Sequence, residues 1–122
     1  MSEYKAPLED MYFLLFDVFQ TDKTWQASSE LSETIDKETA TAILEEAAKF
    51  IETEIAPGYR EADEEGVTFT NQEVTTPSHY KKNFSQLGEG GWIGLTGDPE
   101  YGGMGMPKAI SAQYEEMLCA GD

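Results

Sequence analysis

The run Gly90-Gly91-Trp92-Ile93-Gly94-Leu95-Thr96-Gly97-Asp98-Pro99-Glu100-Tyr101-Gly102-Gly103-Met104-Gly105 constrains this chain more than any other stretch. Glycines at this density let the backbone take positive φ and let other groups come close. A helical pattern stands on each side, so the run reads as an interhelix loop. Trp92 and Tyr101 are expected to bury their rings against the flanking helices.

The pattern around that loop is helical almost throughout. The first helix is expected from Pro7 to Phe19, with Pro7 at its first position and Glu9 and Asp10 in its first turn, where acids suit the dipole. Leu8, Met11, Tyr12, Leu14, Leu15, Phe16, Val18 and Phe19 surround its axis. Met11, Leu14, Leu15 and Val18 are assigned to the domain's core. Tyr12, Phe16 and Phe19 mark a second stripe that faces outward, an apolar patch for another domain or subunit. Thr21 to Ser32 reads as a polar connector anchored by Trp25.

The second helix is the clearest. Asp36 is its N-cap, and Ala40, Ile43, Leu44, Ala47, Ala48, Ile51 and Ile55 keep to one face. Pro57 ends or kinks it, and a further helical piece runs to about Glu65, closed by Gly66. Val67 to Thr75 is expected to form a short hairpin around Asn71-Gln72. Thr76-Pro77 opens a third helix with Tyr80, Phe84 and Leu87 in register. Pro107 opens the fourth, where Ile110, Tyr114, Met117 and Leu118 share a face and Gly121 stops the helix. The fold class is therefore mainly α: about four helices with a short β-hairpin.

Composition narrows the function. Against 24 acidic residues stand 8 basic ones, a net charge of −16. Such a field opposes nucleic acid, which needs clustered cations, and an anionic membrane surface. It also repels the phosphates of coenzyme A from this segment. Met11–Phe16 is too short an apolar run to span a bilayer, and no signal-peptide pattern is present. With Cys119 as the sole cysteine, no internal disulfide forms and a cytoplasmic setting is expected.

No residue set assembles a catalytic, cofactor or metal site. Gly103-Met104-Gly105 lacks the third glycine of a dinucleotide fingerprint and no strand precedes it. A calcium loop starting at Asp98 has Glu100 at its third position, but Gly102 at its fifth and Ala109 at its twelfth. His79 is the single histidine and reads as an exposed first-turn residue, while Cys119 reads as a small apolar residue near a helix end. Asn83-Phe84-Ser85 matches a glycosylation sequon but falls inside a helix of a chain without a secretion signal. Glu61, Asp63, Glu64 and Glu65 read as a solvated helix face.

The order of these pieces resembles the N-terminal domain of flavin-dependent acyl-CoA dehydrogenases, in the subgroup with an added N-terminal segment that includes the methylmercaptopropionyl-CoA dehydrogenases. The resemblance is carried by Gly91-Trp92-Ile93-Gly94-Leu95 and Asp98-Pro99-Glu100-Tyr101-Gly102-Gly103-Met104-Gly105, and by Tyr4-Lys5-Ala6-Pro7-Leu8-Glu9-Asp10-Met11-Tyr12-Phe13. It is carried also by Ala42–Phe50 leading to Ile55-Ala56-Pro57, by Val74-Thr75-Thr76-Pro77 and by Glu115-Glu116-Met117-Leu118.

The resemblance divides the chain into an N-terminal extension, 1–34, and the helical domain, 35–122, at the head of a longer protein. It implies FAD as cofactor, an acyl-CoA substrate, electron-transfer flavoprotein as partner and a homo-oligomer. The implied reaction removes an α-proton and passes the β-hydride to the flavin, giving a 2-enoyl-CoA. The base and the flavin contacts belong to later domains of such enzymes, so none is carried onto this chain, which alone is expected to be inactive. Its implied part is a wall of helices beside the acyl pocket. A stand-alone acidic helical module for protein interaction, using the apolar first helix, is the competing reading.

Overall fold

The structure is a computed structural model and describes residues 3–122. Helix α1, Leu8–Tyr12, runs straight into a π-helical stretch, Phe13–Val18. Gln20, in the left-handed conformation, breaks the direction and starts α2, Thr21–Ala27. A 3-10 turn, Leu31–Glu33, leads to α3, Lys37–Phe50, which also widens into a π-helical stretch, Ile51–Ile55. A second 3-10 turn, Ala56–Gly58, holds Pro57 and passes into α4, Tyr59–Glu65. Strands β1, Thr68–Thr70, and β2, Glu73–Thr75, pair antiparallel, with Phe69 opposite Val74. Helix α5, Tyr80–Glu89, the glycine loop, and α6, Lys108–Gly121, complete the chain.

The centre is α3. Ala40, Leu44, Ala47, Ala48, Ile51 and Ile55 are all buried, the face that the spacing predicts, and α6 packs on it through Ile110, Tyr114 and Met117. The small alanines let the two helix axes approach, and the larger side chains fill between them. Asp36 caps α3 as expected, its carboxylate accepting from Thr39 N–H at 2.7 Å. Gly66 ends α4 at φ +68. The hairpin turn Asn71-Gln72 takes positive φ at both residues, the backbone hand that suits a tight two-residue connection.

Three expectations are corrected. The segment from Thr21 to Ser32 is not a plain connector, because it folds as α2 and sinks Trp25 into the core. This helix changes which side of α1 is covered. Phe16 is buried, 8 % exposed, with its ring edge-on to Trp25 at 6.4 Å and Lys37 Nζ over its face at 5.1 Å. Leu14 and Val18, assigned to the core, are exposed instead, beside Phe13 and Phe19. The π-helical bond from Phe19 N–H to the Leu14 carbonyl, 2.9 Å, adds a residue to the turn and rotates the later side chains off the 3.6-residue stripe.

Gly121 is the last residue of α6, where the helix stops as expected, and it is also buried against Ile51, whose Cγ2 would stand 2.7 Å from an added Cβ. Finally, α5 starts at Tyr80 and not at Pro77. Pro77 is buried, and its carbonyl accepts from Tyr80 N–H at 3.1 Å in the turn before the helix.

Candidate functional site

The glycine loop closes on itself. Met104 N–H donates to the Gly94 carbonyl, Gly105 N–H to Gly97 and Met106 N–H to Leu95, each at 2.9 Å. These bonds lay the Gly102–Met106 arm on the Gly94–Gly97 arm so closely that a Cβ on Gly103 would collide with the Gly97 backbone. Gly91, Gly102 and Gly105 take positive φ. Asp98 holds the tip, its side chain accepting from Glu100 N–H at 2.9 Å. Trp92 stacks on Tyr114 of α6, as a packing role requires. Tyr101 is 83 % exposed and buries nothing, because the 3-10 turn Pro99–Tyr101 turns it away from the helices.

This loop sets α5 beside the C-terminal half of α6, and a groove of about 680 Å³ opens between them. Tyr80, Phe84 and Leu87 of α5 form one wall, Leu118 and Cys119 of α6 the other, and Ile55 of the π-helical stretch also lines it. The spacing of Tyr80, Phe84 and Leu87 predicts a packed helix face. The structure leaves Phe84 69 % exposed, since among the described residues no element covers the groove. Glu54 fixes α5 from below: its carboxylate accepts from Lys82 Nζ and Gln86 Nε2, both at 3.3 Å. Those two hydrogen bonds hold its carboxyl below the usual range, Gln86 contributing first.

Asn83 also lines this groove. It is 7 % exposed, and its Nδ2 has no hydrogen-bond partner. An amide donor buried without a partner costs about 1–3 kcal/mol. Asn83 opens the Asn-Phe-Ser sequon, and its burial in α5 removes that role. Nothing in its sequence context marks it as the polar residue of an apolar groove.

The other candidates do not converge. His79 sits on Gly58, with its ring edge-on to Tyr80 at 5.4 Å, and it is half-buried, not exposed as expected. Cys119 is exposed on α6, on the groove wall. The acidic run is structural: Glu64 pairs with Arg60 at 3.0 Å, and Glu65 accepts from Ser78 N–H and Oγ, tying α4 to the start of α5. Among the described residues, no three acidic, histidine or cysteine side chains gather as metal ligands, and no helix is long and apolar enough to cross a membrane.

A helical domain whose second half is a self-bonded glycine loop between two groove-forming helices has a known counterpart. The profile of the acyl-CoA dehydrogenase N-terminal domain matches residues 37–122, so this chain belongs to the acyl-CoA dehydrogenase family as its N-terminal domain. It is similar to 3-methylmercaptopropionyl-CoA dehydrogenase of Ruegeria pomeroyi, 34 % identical over 119 residues, which are 98 % of this chain and 20 % of that protein. It is also similar to the broad-specificity linear acyl-CoA dehydrogenase FadE5 of Mycobacterium tuberculosis, 33 % identical over 123 residues, with 98 % of this chain and 20 % of that protein covered. The chain thus spans about a fifth of the length of the curated relatives that it matches.

Proposed function

We propose that this chain is the N-terminal part of an FAD-dependent enzyme that introduces an α,β double bond into an acyl-CoA thioester, and that the groove between α5 and α6 forms one wall of the acyl site. The groove carries this reading. Its volume lies within the range of small-molecule sites, Ile55, Tyr80, Phe84, Leu87 and Leu118 make half of its lining beside polar residues such as Thr76 and Asp122, and Phe84 stands open to a ligand. Among the described residues Lys81 is the one cation on its rim, beside Asp122 and against a net charge of −16, so the phosphates of coenzyme A are assigned to later parts of the protein.

The glycine loop offers no phosphate cradle for a flavin nucleotide. The backbone amides of Met104, Gly105 and Met106, which a phosphate cradle needs free, are bonded within the glycine loop. FAD, the base and the docking of electron-transfer flavoprotein are therefore assigned to the rest of the full-length protein, in the cytoplasm and in a homo-oligomer. Residues 1–34 are assigned to an added segment and 35–122 to the domain proper.

The test uses the full-length enzyme with a series of straight-chain acyl-CoA substrates. Phe84→Ala enlarges the groove and Leu118→Phe narrows it. The preferred chain length is expected to lengthen in the first and shorten in the second, with kcat/KM for the affected lengths moving by roughly tenfold or more. An unchanged chain-length profile in both variants refutes the groove as the acyl wall. The stand-alone interaction module, the competing reading, loses ground because a member of this family spanning a fifth of its relatives has a place for its exposed stripe in the longer protein.

A further inference from the structure

The hairpin of β1 and β2 has two unlike sides. Phe69 stands opposite Val74, and residues directly opposite share a side. Thr68 opposite Thr75 and Thr70 opposite Glu73 fall on the other side, because successive residues of a strand alternate. One side is thus apolar and the other polar, the pattern of a sheet that packs one side and wets the other. Yet all six strand residues are exposed, so among the described residues nothing covers either side. Phe69 is 72 % exposed and Val74 65 %, and Val67, just before β1, is 63 %. A two-stranded hairpin is marginal in water by itself. Threonine at position 69 would suit the strand and leave no ring in water.

Charge decides between two kinds of cover, a second copy of the chain and the rest of a longer polypeptide. Helix α4 leads into the hairpin with Glu61, Asp63, Glu64 and Glu65, and Glu73 follows on β2. Arg60 is the single base from 59 to 75, and it is already paired with Glu64. Two copies meeting by this side would set acids against acids, which opposes the contact. The chain spans about a fifth of its curated relatives, so most of a full-length protein of that kind lies outside it. We infer that the Phe69–Val74 side of the hairpin docks on an apolar surface, with Lys or Arg at its rim, that belongs to the same polypeptide beyond residue 122. The inference rests on reading the chain as the N-terminal part of a longer enzyme, and not on the acyl groove. Phe69 is the anchor of the contact, and the threonine side stays in water. Strand β2 runs into Thr76, which lines the groove between α5 and α6, so docking also fixes one end of that wall.

The experiment uses the full-length enzyme. The photo-crosslinker p-benzoylphenylalanine is placed at position 69 and, in a second preparation, at position 70 on the polar side. After illumination, denaturing electrophoresis separates links within one chain from links between two, and mass spectrometry locates them. Position 69 is expected to link within its own chain to a peptide from beyond residue 122, and position 70 to lose that link. Hydroxyl-radical footprinting of the unmodified enzyme gives a second measurement. Labelling of Phe69 is expected to be lost in the folded enzyme relative to the same enzyme in denaturant, and to return in part in Glu73→Lys, which sets a like charge against the basic rim.

Links from position 69 that join two chains overturn the inference in favour of a second copy. Equal links from both positions, no link from either, or Phe69 labelled as readily in the folded as in the unfolded enzyme, overturn the docking altogether. Labelling unchanged by Glu73→Lys overturns the basic rim. The acyl groove is tested separately by the chain-length profile of Phe84→Ala and Leu118→Phe, so a failure there leaves the hairpin contact standing, and a failure here leaves the groove.

Discussion

The indole of Trp92 lies flat against the phenol ring of Tyr114, with ring centroids 5.1 Å apart and planes 16° from parallel. This contact joins the start of the glycine loop to the middle of α6. It also explains the Tyr114 phenol, pushed above its ordinary 10.0 first by burial and then by Glu115. Trp92→Ala is expected to cost about 2–4 kcal/mol, less than for a fully enclosed indole because Trp92 keeps one side in water. Urea denaturation checks the magnitude. In the same variant the Tyr114 phenol is expected to titrate closer to 10.0, read by ultraviolet absorbance.

Two adjacent glycines are expected to behave differently. Gly102 sits at φ +89 with nothing within 4 Å of an added Cβ, so Gly102→Ala carries only the backbone penalty, about 1 kcal/mol. Gly103 has no such φ, but its Cβ would enter the Gly97 backbone, which can yield only by opening the Met104–Gly94 and Gly105–Gly97 bonds. Gly103→Ala is expected to cost about 3 kcal/mol or more. Equal thermal shifts for the two variants would refute the close approach of the loop arms.

Along α1 the structure separates two phenylalanines that sequence spacing places on one stripe. Phe16 touches Trp25 and Tyr12, and Phe19 is 70 % exposed. Phe16→Ala is expected to destabilise the fold by about 3–5 kcal/mol. Phe19→Ser is expected to stay within about 0.5 kcal/mol of the parent. Equally small effects of the two changes, by chemical denaturation, would restore the regular helical stripe.

The Asp36 carboxyl lies below its ordinary 3.8, chiefly through the hydrogen bond from the Thr39 backbone. A carboxyl depressed by folding stabilises the folded state above its unfolded value and loses that contribution as pH falls through its folded value. Asp36→Ala is therefore expected to be less stable than the parent at neutral pH, with the gap closing as pH drops below 3.8. Melting curves of both proteins over that range check it. A gap that stays constant into acid would show that the cap does not act through the ionised carboxylate.

The isolated chain mixed with FAD is expected to remain colourless after gel filtration, since its glycine-loop amides are already bonded within the loop. Yellow protein eluting with one flavin per chain refutes the assignment of the flavin to later domains.

The sequence by itself determined whatever depends on neighbours along the chain. Asp36 and the spacing from Ala40 to Ile55 fix a capped, one-faced helix, because helical periodicity places those side chains together whatever lies opposite. Gly66 and Asn71-Gln72 fix a helix end and a tight turn, because few residues tolerate positive φ. The order and spacing of the motifs along the whole chain, the loop among them, indicated the family.

Tertiary structure decided the rest. Phe16 or Leu14 could each face inward on a helix apolar all round, and the choice was made by Trp25, brought in by an α2 whose polar sequence hides it, and by the π-helical turn that shifts the register. The glycine at 121 reads as a helix stop, which it is, but only the fold shows Ile51, far away in sequence, in the space of its missing side chain. The groove and the buried amide of Asn83 exist only because the folded loop sets α5 beside α6. Burial is a property of what packs against a residue from elsewhere in the chain, and the periodicity of one helix carries no information about that partner.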